Sequence, residues 1–537
     1  MAAFDWTRCK SGWLFRPPIR RTTQQTRPQS GPPLAADAQG RPLRDTSPMS
    51  FSTLRREWLT RPVREMLAGA VATFALIPEV IAFSFAAGVD PEVGLYASFV
   101  ICAVIAVTGG RPAMISAAAG SVALVAAPLV QAHGLPYLLA AGLLAALLQV
   151  AFGLLRLGVL MRFVSKSVRT GFVNALAILI FSAQVPQVLG GGWATYAVLG
   201  AGLAVIYLVP RLTTAIPSPL IAIVLLTGAA AALHLPVKTV ADLGHLPDGL
   251  PRFAWPAVPA TWDTLRVIAG PALAIAMVGL LESLMTASVV DDLTGTPSDK
   301  NRECAGLGLA NLAASLFGGI AGCGMIGQTV SNVKYGGRGR LSTLFAGVLL
   351  LVLIVALKPW VSRVPVSVLV AVMVMVSIDT FDWSSLRTLV THPKVSSAVM
   401  LATVAVTVAT SNLALGVAVG VLLSGVFFTF KVAGLLDIRR GSEAGSGREA
   451  YYVSGQVFFA SADAFVDAFD TAAAAGGAGV LIDVSQAHFW DVTAIAALDK
   501  VVARFKAQGV AVELEGVNRA SATLIERLDR GGALGAA

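Results

Sequence analysis

Apolar runs of about 20 residues, broken by short polar stretches, recur from Met66 to about Val432. A helix of that length is what a bilayer crossing requires. The pattern predicts spans near 66–87, 92–108, 119–131, 136–157, 166–188, 194–209, 217–234, 267–290, 304–320, 328–337, 340–357, 365–379, 395–411 and 413–432. Two of them, 119–131 and 328–337, are too short as helices for a hydrocarbon layer of about 30 Å. Both follow irregular Gly/Ala/Ser sequence, Ile115 to Ser121 and Gly319 to Gly327. They stand third and tenth in order, so the chain divides into two matching halves. An odd number of segments per half inverts the second half, and paired short segments point to a transporter's binding site. The fold class expected is a polytopic α-helical membrane protein, with about 14 transmembrane segments in a 7+7 inverted repeat and two half-helices.

After Lys431 the pattern changes. Residues 437–449 read as a charged Gly/Ser linker, and 450–537 as a soluble α/β domain. Strands are expected at Tyr451 to Phe459, Gly479 to Val484 and Val510 to Leu514. Helices are expected at Ala462 to Ala475, Val492 to Lys506 and Ser521 to Leu528. No phosphate-binding loop, nucleophile elbow or dinucleotide fingerprint occurs there, so an enzyme is not expected. Residues 61–436 form the membrane part, and 1–60 a basic, largely disordered cytoplasmic tail. Within that tail Met49 reads as an ordinary start, and Thr7 to Pro48 as disordered or leader sequence.

Composition fits this reading. Hydrophobic residues make up 55% and charged residues 13%, too few charges to cover a soluble surface of this size. The net charge of +9 arises largely before residue 66, where 12 Arg/Lys face 5 Asp/Glu. That is a tail obeying the positive-inside rule rather than a nucleic-acid surface. Arg111, Arg156, Arg162, Lys166, Arg169, Arg211, Lys334, Arg338 and Arg340 fall in alternate loops. Both termini are therefore expected in the cytoplasm, with the spans in the inner (plasma) membrane and lipid around them. Cys9, Cys102, Cys304 and Cys323 lack metal-site spacing and the five His residues are unclustered, so no metal or cofactor is expected.

Two acids stand inside apolar spans, Glu79 after Pro78 and Glu282 in Leu281-Glu282-Ser283. A carboxylate at membrane depth costs several kcal/mol unless it is protonated, paired or facing water, which makes both functional candidates. Pro78 frees backbone carbonyls beside Glu79. The half-helix N-termini near Ala119, Gly120 and Ser121, and near Gly327, Gln328 and Thr329, offer unpaired N–H groups and a positive dipole end to an anion.

The stretch Ile77-Pro-Glu-Val-Ile-Ala-Phe-Ser-Phe-Ala-Ala-Gly-Val-Asp-Pro-Glu-Val-Gly-Leu-Tyr96 resembles the signature of the sulfate permease family, also called solute carrier family 26. A second long match runs through Gly279-Leu-Leu-Glu-Ser283, Asp291, Thr294-Gly295, Asp299-Lys-Asn-Arg-Glu303, Gly306, Ala310-Asn311 and Leu316-Phe-Gly-Gly319. The C-terminal part is similar to the family's STAS domain. The resemblance covers roughly residues 60 to 530. It implies core and gate domains, a homodimer, and an anion site between the half-helices flanked by the first and eighth spans. It places Glu79, Phe83, Ala119, Gly120, Ser121, Gly327, Gln328 and Thr329 at that site and Glu282 at the eighth-span acid. Glu79 stands where many members have Gln, and Gln328 where many have Arg, so this site is less positive. In Phe489-Trp-Asp-Val-Thr-Ala494, Thr493 matches a phosphorylatable Ser of related domains, against an ordinary helix start capped by Asp491. A scaffold or dimerisation role, with a cytosolic partner, is expected of the STAS domain rather than enzymology.

An ionised Glu79 repels an anion, so binding should favour the protonated acid. The expected function is secondary active anion transport by alternating access, with H+ carried by Glu79 or Glu282. The substrate expected is a small carboxylate or dicarboxylate such as fumarate or succinate, or an inorganic anion such as sulfate or bicarbonate. Na+ is the competing coupling ion, because Glu282 and Thr286 share a helix face. An exchanger, an uncoupled channel and a non-transporting sensor are the further alternatives.

Overall fold

The computed structural model describes residues 57–58, 61–159, 164–212, 218–242, 246, 249–391, 393–442, 448–470, 479–518 and 521. The basic N-terminal tail up to residue 56 and the helix expected beyond Ser521 lie outside the described residues.

A helix stands at every apolar run. The first half contains α1 (Pro62–Ala87), α2 (Pro91–Thr108), β1 (Ser116–Ala118), α3 (Gly120–His133), α4 (Leu135–Leu154), α5 (Lys166–Val188), α6 (Trp193–Leu208) and α7 (Ser218–Ala232). The second repeats that order as α8 (Trp262–Thr294), α9 (Lys300–Leu316), β2 (Gly322–Gly324), α10 (Ile326–Lys334), α11 (Leu341–Ala356), α12 (Lys358–Val361), α13 (Val366–Thr380), α14 (Ser384–Thr391), α15 (Lys394–Thr410) and α16 (Leu413–Ala433). Only the one-turn α12 and the short α14 interrupt the match. Among the described residues eight helical stretches are long and apolar enough to cross a membrane; α3, α7, α11 and α15 are apolar but shorter. Pro residues open α1 and α2, where the missing N–H costs nothing. Asp299 caps α9 by accepting from the N–H groups of Asn301 and Arg302, both at 3.0 Å.

The membrane helices pack in two groups. One holds α1, α2, α3, α4, α8, α9, α10 and α11; the other holds α5, α6, α7, α13, α15 and α16. The first group is clamped at the end where its loops carry Arg and Lys. Arg340, 3% exposed, pairs with Glu57 at 2.6 Å and donates to the Ala106 and Gly109 carbonyls. Glu303 accepts from the N–H groups of Gly110 and Arg111, and Glu65 from those of Arg338 and Gly339. Arg340→Ala leaves the Ala106 and Gly109 carbonyls without that donor and should cost about 1–3 kcal/mol, read as a fall of several degrees in the unfolding midpoint of the detergent-solubilised protein. At the opposite end Trp193, Trp255, Trp262 and Trp360 are all exposed, as in an aromatic belt at a membrane interface.

Beyond α16 lies a four-stranded sheet in the order β3 (Asp437–Ser442), β4 (Glu449–Val457), β5 (Val480–Phe489), β6 (Val512–Glu515). β3 pairs antiparallel with β4, and the remaining pairs are parallel. Asp437–Ser442, read from the sequence as linker, is thus the first strand. It is a largely exposed edge strand, where charge is tolerated and no apolar alternation is required. The helix α17 (Ala462–Asp467) gives way to turn and coil over 468–470, and the rest of its expected span, 471–475, lies outside the described residues, whereas α18 (Val492–Ala507) matches its expected span. Tyr451, Phe465, Leu498 and Phe505 form the centre of this domain's own core.

Candidate functional site

The short strands β1 and β2 lie between the two halves and pair antiparallel, with Ser116 opposite Gly324 and Ala118 opposite Gly322. An antiparallel pair is what an inverted repeat produces. A Cβ at position 322 would run into the Ala117 carbonyl, so the ribbon closes only with glycine there. Each strand leads within two residues into a half-helix, β1 into α3 and β2 into α10. The residues at the two starts, Ala119 and Met325, are extended and supply no side-chain cap. The first N–H groups of both helices thus have no side-chain cap, the condition for receiving an anion.

Five elements meet around this ribbon. On α1, Glu79 follows Pro78 and keeps part of its surface exposed; the Gln328 side chain of α10 is near enough to act on it. Asp379 of α13 is near enough to act on Glu79 electrostatically. One turn after Glu79, the Phe83 ring lies on Gly120, leaving no room for a Cβ there. Gly327 is exposed, and the position of its absent Cβ is open space. The structure thus brings Glu79, Phe83, Ala119, Gly120, Gly327 and Gln328 to one place.

The hydroxyls point elsewhere. Ser121 donates to Glu282 Oε2, and the Cys323 thiol lies 3.0 Å from the same oxygen. Thr329, fully buried, accepts from the Ile115 N–H at 2.9 Å. Thr286 donates to carbonyl oxygens, with 2.8 Å to Gly324 and 2.8 Å to Glu282. Ser283 accepts from the Gly324 N–H at 2.8 Å, and Asn311 brackets Gly322 by accepting from its N–H and donating to its carbonyl. Glu282 and its neighbours on α8 therefore hold the ribbon and the start of α3 together, whereas Glu79 stands on the open side. Among the described residues no three His, Cys, Asp or Glu side chains gather as a metal site.

Beside Phe83 and Gly120 runs a narrow cleft between the two helix groups. Two adjoining hollows share Ala86 of α1 with Ala183 and Gln184 of α5. One reaches Phe83 and Gly120; the other continues to Leu369 and Val370 of α13. Gln184 was not singled out from the sequence. The available signal was a pair of amides, Gln184 and Gln187, flanking Pro186 in a largely apolar stretch. In the soluble domain Thr493 is exposed in the first turn of α18, and Asp491 caps that helix by accepting from the Ala494 N–H at 2.8 Å.

Comparison with known proteins agrees with this architecture. The sulfate permease family profile matches residues 63–403, and the STAS domain profile residues 448–531. A candidate sulfate transporter of Bacillus subtilis, YbaR, is 50% identical over 89% of this chain and 99% of its own length. The solved transmembrane domain of a cyanobacterial bicarbonate transporter, BicA, superposes with a TM-score of 0.59 at 26% identity, over 68% of this chain and 98% of that one. The murine solute carrier 26 family member A9, an anion transporter solved in the inward-facing state, has the same fold. Its TM-score is 0.76 at 18% identity, over 93% of this chain and 96% of that one. The chain belongs to the sulfate permease family of membrane transporters, which are not enzymes, and carries a STAS domain behind its membrane part.

Proposed function

We propose that this protein is a proton-coupled anion symporter working by alternating access, with the anion held at the N-termini of α3 and α10 and the proton on Glu79. The observation that carries the reading is the proximity of Glu79 on α1 to the Gln328 side chain at the start of α10. It puts a titratable acid where the anion's charge would sit. A carboxylate there repels the anion, and a carboxylic acid can donate to it, so anion and proton bind together. The names of relatives support sulfate and bicarbonate as substrates. The apolar walls of the cleft support a small carboxylate or dicarboxylate, whose hydrocarbon part needs such a wall. Glu282, spent on Ser121 and Cys323, serves as the pin of the ribbon rather than the proton carrier. The protein works as a homodimer in the inner membrane with both termini in the cytoplasm, and its STAS domain binds a cytosolic partner.

The test is uptake of labelled sulfate, bicarbonate, fumarate and succinate into proteoliposomes under inward proton or sodium gradients. Proton-driven accumulation of at least one anion is expected. Drive by sodium alone would move the coupling role to Glu282 and Thr286. Flux that follows only membrane potential would mean a channel, and no flux a sensor.

A further inference from the structure

We infer that Gln184 of α5 determines substrate specificity, by hydrogen-bonding the far polar end of an organic anion whose near carboxylate sits at the α3 and α10 N-termini. This rests on the anion-transport reading above and deepens it.

Gln184 is 6% exposed and lines both hollows of the cleft. Around it the walls are hydrocarbon apart from the exposed Gln187 of the same helix: Ala82 and Phe85 of α1, Ala183 of α5, and Leu369 and Val370 of α13. An amide in such a setting needs partners, because burying it unpaired is costly. Its Nε2 lies 3.4 Å from the Ile180 carbonyl, a long and weak contact. That carbonyl already receives the Gln184 backbone N–H in the regular helix pattern. The side chain also does not repair the gap made by Pro186, which falls one turn earlier, at the Ser182 carbonyl. Helix α5 therefore gains little from this amide, and its donor and acceptor capacity remains for the cleft.

The two ends of the cleft differ in what they hold. At the Phe83–Gly120 end is the N-terminus of α3, which suits one negative group. At the other end is a neutral amide, which offers N–H donors without full charge. Between them is an apolar wall. A compact inorganic oxyanion fills only the first position. A short dicarboxylate fills both, with its carbon chain on the wall. Because Gln184 belongs to the second helix group and the N-termini to the first, such a ligand bridges the two groups.

The experiment measures KM for labelled fumarate, sulfate and bicarbonate in proteoliposomes, for wild type, Gln184→Met and Gln184→Asn. Methionine keeps the volume and removes the amide; unchanged thermal unfolding in detergent shows that the variants fold. Gln184→Met should raise the KM for fumarate about tenfold or more, as loss of a hydrogen bond to a charged group does. It should leave the sulfate and bicarbonate values within about twofold. Gln184→Asn, which keeps an amide on a shorter stem, should fall between wild type and Gln184→Met for fumarate. KM values that shift together for all three anions, or not at all, would overturn the assignment. Wild-type uptake of sulfate or bicarbonate without fumarate would overturn it too, while leaving anion transport standing. A wild type that carries none of them would overturn both.

Discussion

Glu79→Gln should yield a protein that still lets its anion run downhill but no longer accumulates it. Under the proposed symport, if one proton enters with each anion, a gradient of one pH unit supports roughly tenfold accumulation at zero membrane potential. The variant should fall to a ratio of about one, with downhill flux that no longer depends on pH. Glutamine has the shape of the protonated acid and keeps a donor toward the anion, so the site should remain formed. It also lies near Gln328, another amide, whose donors and acceptor can serve a neutral partner as well as an acid. The change removes the proton and leaves the geometry. A variant that still accumulates its anion under a proton gradient would place the coupling elsewhere, with Glu282 the next candidate.

Gly120→Ala should be nearly as damaging for a different reason. A Cβ there would stand 2.6 Å from Phe83 Cε1 and 3.0 Å from Cζ, closer than packing permits. Phe83 is 4% exposed, so its ring can yield only toward the cleft. Overpacking of this kind costs about 1–3 kcal/mol, and here the displaced ring would enter the space in front of the α3 N-terminus. Uptake should fall about tenfold or more, since a small misplacement at a binding site is expensive in rate. The paired change Gly120→Ala with Phe83→Leu should restore much of it, because leucine lacks the colliding ring edge. Initial uptake rates and thermal unfolding of wild type and the two variants check this. A double variant no better than Gly120→Ala would show that the glycine is needed for the backbone and not for the ring.

Much of the membrane architecture was legible because lipid forces it into the sequence. Backbone groups in hydrocarbon must pair within helices, so each span is an uninterrupted apolar run. The same rule exposed the two half-helices, since runs too short to cross mark irregular backbone at depth. The acids were legible because a carboxylate in such a run is costly. What was not legible depends on contacts between distant segments. Nothing local in Ser116 to Ala118 or Gly322 to Gly324 predicts that they pair with each other. Ser121 and Thr329 stand beside the helix starts in sequence, yet Glu282 and the Ile115 N–H, more than 160 residues away, take their hydroxyls. Gln184 becomes notable only once α1, α3 and α13 close around it. β3 was hidden because an exposed edge strand needs neither alternation nor apolar residues.

The roles divide between the two acids. Glu282 is enclosed by Ser121, Cys323 and the ribbon, whereas Glu79 keeps partial exposure beside the cleft. Under the proposed symport, the proton enters on Glu79 together with the anion. Proton entry is therefore the direct observable. The measurement is the internal pH of proteoliposomes holding a pH-sensitive dye, followed as sulfate or fumarate is added outside with no initial pH gradient and the membrane potential clamped at zero. Acidification that rises with anion entry in wild type, and is absent in Glu79→Gln, is the result proton symport predicts. Anion entry in wild type without any change in internal pH would contradict it.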